Sequence, residues 1–253
     1  MKITIIGAGN IGGATALGLW NAGVKDITVT ARHSSTLEKF ASRGISTSLD
    51  NVAASRDADI IILCVKPWLM EGVVKEVVRP HTTQTIVSMA PGVPSSDILA
   101  WAGEDIPLAY VIPNTAAEVG ESMTFISPVT TDESRTHVLS DLFERVGKVM
   151  TVPESRLGAG TALASCGIAY ALRYIRAASE GGVQLGLFAS DAAAVVAQTV
   201  KGAASLLEAH SSHPEQEIDK VTTPGGMTIK GLNAMEEAGF TNAVIKGLEA
   251  CQK

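Results

Sequence analysis

A glycine-rich turn near the start of the sequence limits the choice of folds more than any other feature. Segment 7–12 follows the apolar run 3–6 and opens a helical stretch rich in alanine and leucine. Its pattern, Gly-x-Gly-x-x-Gly, is that of dinucleotide-binding folds, in which the glycines make the turn, admit a pyrophosphate and let helix and strand pack closely. An ordinary glycine turn is the alternative, but the strand before it and the helix after it favour the dinucleotide site. The predicted contacts are Gly7, Ala8, Gly9, Asn10, Ile11 and Gly12.

The first 150 residues or so alternate short apolar runs with helical stretches, which is typical of βαβ units around a parallel sheet. We predict strands near 3–6, 27–30, 60–65, 85–89, 108–112, 124–126 and 148–152. Helices are expected to start near Asn10, Ser34, Pro67 and Pro94, with another from about Asp132 to Arg145. This order predicts a Rossmann-type, doubly wound α/β domain over residues 1–152.

The sequence changes character after Pro153, because strand-like runs disappear and small and aliphatic residues recur at helical spacing up to residue 253. We therefore predict a second, all-helical domain over residues 153–253. Its helices carry many alanines and glycines, which permit close approach of a partner and bury little apolar surface by themselves. These faces predict a homodimer or higher homo-oligomer that forms through the C-terminal helices.

The residues after the second predicted strand indicate which nicotinamide cofactor the fold prefers. An acid at this position usually holds the ribose hydroxyls of NAD, whereas a cation binds the 2′-phosphate of NADP. Segment 29–35 has no acid but contains Arg32, followed by the hydroxyls of Ser34 and Ser35 at the next helix start. A solvated surface arginine is the alternative interpretation. NADPH is the predicted cofactor, with NADH as a weaker alternative.

A second anion site is predicted in the helical half, at segment 222–228. A threonine before proline is typical of a helix N-cap, and proline suits the first helical position because its missing N–H would be unpaired there. Thr223 is thus the predicted N-cap, and Gly225 and Gly226 would leave space for a ligand. Backbone N–H groups, the helix dipole and the Thr223 hydroxyl could then hold a substrate carboxylate. An ordinary capped helix start is the alternative.

The remaining composition argues against several other classes of protein. The formal net charge is -6 and the sequence has no dense lysine or arginine cluster, so a nucleic acid partner is not expected. The most apolar run, 60–65, is too short for a membrane span, and segment 1–6 leaves no room for a signal peptide, so we expect a cytoplasmic protein. Neither the three separated cysteines nor His210 and His213 make a zinc pattern, so no metal is expected.

Several short motifs in a fixed order carry a resemblance to a known family. They are Val65-Lys66-Pro67, Pro113-Asn114-Thr115, Val119-Gly120-Glu121, segment 198–204 and, most specific, Val-Thr-Thr-Pro-Gly-Gly-Met-Thr at 221–228. With the glycine turn, the chain resembles the pyrroline-5-carboxylate reductase family over essentially its whole length. Segment 164–170 departs from the family, since it reads Ala-Ser-Cys-Gly-Ile-Ala-Tyr in place of the usual Ser-Gly-Ser-Gly-Pro-Ala-Tyr. The loss of proline and one glycine changes how the helix there begins.

The resemblance implies an NADPH-dependent enzyme that transfers hydride to the C=N bond of 1-pyrroline-5-carboxylate and forms L-proline, the last step of proline biosynthesis. It also implies a Rossmann domain followed by a helical dimerisation domain. A protonated imine is already electrophilic, so Thr228 would need only to hydrogen-bond the ring nitrogen. The further cofactor contacts that the resemblance implies are Asn51, Cys64, Val65, Lys66, Pro67, Ala90, Pro91, Gly92 and Asn114.

Two alternatives to this function remain open from the residues alone. A related Rossmann reductase could act on another imine or on a hydroxy acid, although the helical half offers no convincing general-base lysine or acid. A non-catalytic NADPH-sensing protein could retain the same cofactor fold. Loss of NADPH absorbance on addition of pyrroline-5-carboxylate would separate all three.

Overall fold

The computed structural model describes residues 1–103 and 105–251, and the N-terminal part of the chain is built on one sheet. Its strands are β1 (Ile3–Ile6), β2 (Ile27–Thr30), β3 (Ser46–Ser48), β4 (Ile60–Leu63), β5 (Thr85–Ser88), β6 (Leu108–Ile112), β7 (Ser122–Pro128) and β8 (Gly147–Thr151). Within the described residues these eight strands follow the order β3-β2-β1-β4-β5-β6-β7-β8. The β6–β7 pair is antiparallel and the other neighbouring pairs are parallel.

Helices cover both faces of this sheet. They are α1 (Asn10–Asn21), α2 (Ser34–Ala41), α3 (Asn51–Ser55), α4 (Pro67–Val77), α5 (Ser95–Ala102) and α6 (Glu133–Glu144). Because successive side chains of a strand point to opposite faces, Ile5 packs with Phe40 and Phe143 on one side, whereas Ile6 packs with Met70 and Tyr110 on the other. Continuous apolar strands such as β1 and β4 are therefore buried on both sides, as a parallel sheet requires.

The strand order reverses between β1 and β4. The chain passes from β1 outward through β2 to β3, and then returns to place β4 on the other side of β1. Ligands of open α/β sheets bind outside the carboxyl ends of the strands at such a reversal. The fold thus positions the turn after Ile6 and the residues after Leu63 at the edge where a ligand is expected.

The structure confirms the predicted Rossmann-type sheet, with strand ends that differ from the predictions by up to two residues. β3 and α3 have no counterpart among the predicted elements. β3 is a three-residue Ser-Thr-Ser edge strand without apolar alternation, and α3 has only five residues, capped by Asp50, whose carboxylate accepts from the N–H of Ala53 at 2.9 Å. Such short polar elements follow from pairing with their neighbours rather than from their own sequence pattern.

The segment after β8 belongs to the first compact unit up to Ser165. It contains a 3-10 turn (Glu154–Arg156), α7 (Leu157–Gly160) and a π-helical turn (Thr161–Cys166). Leu157 is buried against the sheet, and a Cβ at Gly160 would lie 2.9 Å from the Phe125 ring. The chain divides into two compact units, Met1–Ser165 and one that begins at Cys166. A domain boundary after residue 152 stays a prediction.

In the described part of the second unit, all secondary-structure elements are helices, joined by short turns. Its helices are α8 (Gly167–Gln184), α9 (Ala189–His210), α10 (Pro214–Lys220), α11 (Met227–Glu237) and α12 (Phe240–Ala250). Ala192 is the one buried residue among the described residues of these five helices, so most of their apolar surface is uncovered in a single chain. Across residues 1–103 and 105–251, we find no helix with the length and apolar character of a membrane span.

Candidate active site

The glycine turn after β1 is shaped by contacts that exclude side chains. Gly7 has a φ of +104°, and a Cβ there would lie 2.4 Å from the carbonyl oxygen of Cys64. A Cβ at Gly12 would lie 2.2 Å from the Gly7 oxygen, so α1 and the turn pack without side chains between them. Space around Gly9, in contrast, is open to at least 4 Å. The turn is thus tight on its protein side and open where a pyrophosphate is expected.

The first turn of α1 offers backbone donors next to this opening. Gly9 is the N-cap and makes no side-chain capping bond. The hydrogen bond from the Gly13 N–H to the Gly9 oxygen, 2.8 Å long, is the first in the helix, so the N–H groups before it lie ahead of the helical ladder. The N–H groups of Gly7 and Ala8 are held by the Thr30 oxygen at 3.2 and 3.0 Å. This arrangement fits an anion at the helix N-terminus.

A cavity of about 1070 Å³ surrounds the turn and contains most of the predicted cofactor contacts. Those that line it are Gly7, Ala8, Gly9, Asn10, Ile11, Arg32, Asn51, Cys64, Val65, Lys66, Pro67, Ala90 and Pro91. Gly12, Ser34, Gly92 and Asn114 are not among its lining residues in the described part of the chain. Open space at the turn, helix N–H groups that lie ahead of the helical ladder and a nearby cation together fit a nicotinamide dinucleotide.

Arg32 follows β2 by two residues and its side chain is exposed at the cavity. The next helix, α2, begins at Ser34, as predicted, with His33 as its N-cap. His33 lines the cavity, whereas Ser34 does not. Among the residues of this loop that line the cavity, Arg32 is the one with a permanent positive charge.

The Asn114 side chain is committed to structural hydrogen bonds. Its Oδ1 accepts from the Ala116 N–H at 3.0 Å, and its Nδ2 donates to the Ala164 oxygen at 3.3 Å. Its backbone N–H donates to the Ser122 hydroxyl at 3.1 Å. Asn114 is buried and caps the short 3-10 turn that begins at Thr115, and Thr115 itself lines the cavity.

Three side chains that line the cavity are linked by hydrogen bonds, and the sequence alone does not predict this link. The Thr30 hydroxyl donates to Asn51 Oδ1 at 2.7 Å, and Asn51 Nδ2 donates to Glu76 Oε2 at 3.2 Å. Thr30 is fully buried at the end of β2, and Glu76 lies in the last turn of α4. Nothing in the local sequence of α4 singles out Glu76, because only the packing of α4 brings it to the cavity.

The Cys64 thiol lies where β4 meets the glycine turn. Burial raises its pKa from 9.0 to about 11, although a backbone hydrogen bond from Gly12 and the positive charge of Lys66 act in the opposite direction. The thiol is therefore neutral at physiological pH. We assign Cys64 a packing role beneath the turn rather than one as a nucleophile.

The predicted N-cap at Thr223 is wrong. Residues Thr223 to Gly226 form a β-turn in which the Gly226 N–H donates to the Thr223 oxygen at 2.9 Å and Gly225 has a φ of +71°. Proline and then a glycine with positive φ are the residues that a type II turn requires. Helix α11 therefore starts three residues later than Pro224, at Met227, with Gly226 as its N-cap.

Thr228 is the second residue of α11, and its side chain is exposed. Thr223 and Gly225 are exposed as well, and a Cβ at Gly226 would lie 2.4 Å from the Thr223 hydroxyl oxygen. Gly226 makes no side-chain capping bond, so the first N–H groups of α11 lack a side-chain cap. The structure thus brings the four predicted substrate residues together around one uncapped helix N-terminus.

Two family models match the chain. Residues 154–253 match the model described as pyrroline-5-carboxylate reductase dimerisation. Residues 2–92 match the model described as NADP oxidoreductase, coenzyme F420-dependent. The first match covers the helical region, and the second covers the glycine turn and most of the cavity residues.

Individual relatives of this chain align with both of these regions. The chain is 36% identical to the pyrroline-5-carboxylate reductase of Methanosarcina acetivorans over 98% of its own length and 96% of that protein. It belongs to the pyrroline-5-carboxylate reductase family. Pyrroline-5-carboxylate reductase 2 of Dictyostelium discoideum is 36% identical, with 98% of this chain and 89% of that protein covered. Pyrroline-5-carboxylate reductase 1 of the same organism is 37% identical, but the chain spans only 48% of its length.

Solved structures of the pyrroline-5-carboxylate reductase family share the fold. The Coxiella burnetii enzyme is 30% identical, with a TM-score of 0.87 over 99% of this chain and 96% of that one. The Plasmodium falciparum pyrroline carboxylate reductase, solved with NADP bound, has a TM-score of 0.90 over 100% and 95% of the two chains at 24% identity. These likenesses confirm the predicted order of a Rossmann-type domain followed by a helical domain.

The segment that departs from the family motif, 164–170, begins within a π-helical turn. This turn spans Thr161–Cys166, and α8 begins directly after it at Gly167. Further along α8, the Tyr170 hydroxyl donates to the Gly247 oxygen at 3.0 Å and contacts the Cys251 sulfur at 2.6 Å. The hydrogen bond with Cys251 is the main cause that raises the pKa of Tyr170 to about 12. Tyr170 is therefore neutral and joins the first turns of α8 to the end of α12.

Proposed function

We propose that this chain is a pyrroline-5-carboxylate reductase. In the reaction, a hydride from NADPH adds to the carbon of the protonated C=N bond, the π electrons of that bond become a lone pair on the ring nitrogen, which keeps its proton, and proline and NADP⁺ leave. The observation that carries the proposal is the open space at the glycine turn of Gly7, Gly9 and Gly12, where a pyrophosphate would bind. The chain that contains this turn belongs to the family and aligns with 96% of the length of its Methanosarcina relative. The bound nicotinamide supplies the hydride.

The cofactor assigned to this chain is NADPH. Arg32 would bind the 2′-phosphate from the end of β2, and the N–H groups at the start of α1 would bind the pyrophosphate. The match of residues 2–92 to an NADP oxidoreductase model supports the choice, as does the NADP in the Plasmodium structure. NADH, which lacks the phosphate that Arg32 would hold, would be the weaker cofactor.

The substrate carboxylate would be held at the N-terminus of α11. This helix has 11 residues, so its dipole favours an anion there, and the turn of Thr223 to Gly226 leaves the first N–H groups without a side-chain cap. Thr228, one position after the first helical residue, would then hydrogen-bond the ring nitrogen. Because the iminium carbon is already electrophilic, a hydroxyl that orients the nitrogen suffices.

The active form would be a homodimer or larger homo-oligomer through the C-terminal helices. Residues 154–253 match a dimerisation model, and the single chain leaves large apolar side chains in the helical unit exposed. Leu185 and Phe188, between α8 and α9, are 88% and 81% exposed. A surface of this kind is typical of a protein interface. We also place the protein in the cytoplasm, where free thiols such as Cys64 and Cys166 persist.

The activity is tested by mixing the protein with NADPH and 1-pyrroline-5-carboxylate. We expect the absorbance of reduced nicotinamide to fall and an equal amount of proline to appear. A matched substrate, 1-pyrroline, has the same C=N bond but no carboxylate, so it should be reduced far less efficiently. Absence of NADPH oxidation with 1-pyrroline-5-carboxylate would refute the proposed function, and equal rates for the two imines would refute the carboxylate site.

A further inference from the structure

Glu76 of α4 contributes a carboxylate to the wall of the cofactor cavity. It accepts a hydrogen bond from Asn51, whose amide Nδ2 donates to Glu76 Oε2 at 3.2 Å. The amide is oriented in turn by the fully buried Thr30, whose hydroxyl donates to Asn51 Oδ1 at 2.7 Å. These hydrogen bonds begin at Thr30, the last residue of β2. They connect the Glu76 carboxylate to the strand end at which dinucleotide folds usually distinguish NAD from NADP.

Dinucleotide folds that use NAD usually carry an acid at the end of the second strand, where it accepts a hydrogen bond from the ribose 2′-hydroxyl. Segment 29–35 of this chain has no such acid. Glu76 reaches the same end of β2 from α4, through Asn51 and Thr30. Arg32, two residues after Thr30, lines the same cavity. The lining of the cavity therefore includes both a cation and a carboxylate.

NADH and NADPH both carry the anionic pyrophosphate and differ only at the ribose 2′ position, so the charge of Glu76 acts with opposite sign on the 2′-hydroxyl of one and the 2′-phosphate of the other. A carboxylate accepts a hydrogen bond from a ribose hydroxyl but repels a phosphate across the same cavity. We propose that Glu76 is a specificity-determining residue that supports NADH binding and limits the preference for NADPH that Arg32 produces. This inference rests on the proposed function, because it requires a nicotinamide dinucleotide in the cavity.

Glu76→Gln tests the charge while keeping the shape. Glutamine retains an oxygen that can accept from Asn51 Nδ2, so the orientation of the amide is preserved. Glu71→Gln is the matched control, since Glu71 lies on the same helix and is exposed, pairs with Lys75 at 2.6 Å and does not line the cavity in the described part of the chain. Both variants lose one negative charge from α4, but only Glu76→Gln loses it from the cavity.

The measurement is the dissociation constant of each nucleotide, from titration of NADPH or NADH fluorescence without substrate at low ionic strength. For Glu76→Gln we expect the ratio of the NADH constant to the NADPH constant to rise at least about fivefold, and to rise less in about 0.5 M salt, which screens the charge. Glu71→Gln should leave the ratio unchanged. Thermal unfolding should be the same for both variants and the wild type, because both side chains are exposed.

Each other outcome has a definite meaning. An equal loss of affinity for the two nucleotides would show that Glu76 only positions Asn51, and would overturn the inference. The same rise in the ratio for Glu71→Gln would assign the effect to the general charge of α4 and would also overturn it. If neither nucleotide binds to the wild type, the proposed function fails and takes this inference with it, whereas binding of both with an unchanged ratio overturns the inference alone.

Discussion

Gly12 lies so close to Gly7 that a Cβ on Gly12 would be 2.2 Å from the Gly7 oxygen, and 3.1 Å from the Cys64 sulfur. Gly9, between them in sequence, faces open space. The three glycines of the motif therefore have different physical roles. Gly12 is required by the packing of α1 against the turn, whereas Gly9 matters only when a ligand occupies the space beside it.

Replacing Gly12 and Gly9 by alanine, one at a time, should separate the effect of each glycine on stability from its effect on cofactor binding. In Gly12→Ala, the added methyl group would push the backbone of α1 away from the Gly7 oxygen. This should lower the free energy of unfolding by about 2–4 kcal/mol. Gly9→Ala should leave the melting temperature within about two degrees of the wild type but weaken NADPH binding, because the methyl group occupies pyrophosphate space. Calorimetry and NADPH titration on both variants check this. Normal NADPH affinity in a folded Gly9→Ala protein would contradict the placement of the pyrophosphate.

Arg32→Ala should affect the two cofactors unequally. Loss of a charge-assisted hydrogen bond should weaken NADPH binding by about 1.5–3 kcal/mol and leave NADH nearly unchanged. Arg43→Ala is the matched control, because Arg43 is an exposed arginine just after α2 that does not line the cavity in the described chain. Equal losses for NADPH and NADH in Arg32→Ala would remove the assignment of Arg32 to the 2′-phosphate.

The sequence predicts the sheet and the cofactor turn well, because both depend on local patterns. Continuous apolar runs such as 60–63 read as buried strands, and the glycine spacing defines a turn. The start of α11 is misplaced because Thr-Pro is compatible with both a helix cap and a β-turn, and only the positive φ of Gly225 decides between them. The link from Thr30 to Glu76 depends on how α3 and α4 pack, so no local pattern contains it.

The oligomeric state should depend on the loop between α8 and α9. Phe188→Glu places a charge on a side chain that is 81% exposed in the single chain, so it should not unfold the helical unit. If this surface pairs with a second copy, light scattering should show a homodimer or larger species for the wild type and a smaller species for the variant. Trp68→Glu, an equally abrupt change at an exposed aromatic residue of α4, should leave the mass unchanged. A monomeric wild type would refute the prediction.

The raised pKa of Cys64 predicts a pH dependence of stability. In the unfolded chain the thiol ionises near 9, whereas in the folded chain its pKa is about 11, since burial disfavours the thiolate. The folded state then holds the proton more tightly, so the contribution of Cys64 to stability is fully present below pH 9 and is lost as the pH rises toward and through 11, by up to about 2 kcal/mol at pH 11. Cys64→Ala should reduce this fall in urea unfolding measured from pH 8 to 11. An identical slope in the variant would show that other groups cause it.

Thr228→Val should separate orientation of the substrate from stability of the helix. The valine has the shape of threonine without its hydroxyl, and Thr228 is exposed and is not the N-cap of α11, so the melting temperature should be unchanged. If the hydroxyl steadies the ring nitrogen as hydride reaches the neighbouring carbon, kcat/KM for 1-pyrroline-5-carboxylate should fall by roughly 10²-fold, slightly less than for an oxyanion donor because less charge develops.

Three comparisons make this test of Thr228 specific. NADPH affinity should stay normal in Thr228→Val, and Thr228→Ser, which restores a hydroxyl, should recover most of the lost kcat/KM. Thr222→Val is the matched control, because the Thr222 hydroxyl donates within its own turn to the Asp219 oxygen at 3.2 Å and should matter little for turnover. Steady-state kinetics and thermal unfolding are measured on all three variants. Near-normal turnover in Thr228→Val with a lowered melting temperature would assign Thr228 to the helix start alone, since a capping or packing threonine stabilises the fold without touching the reaction.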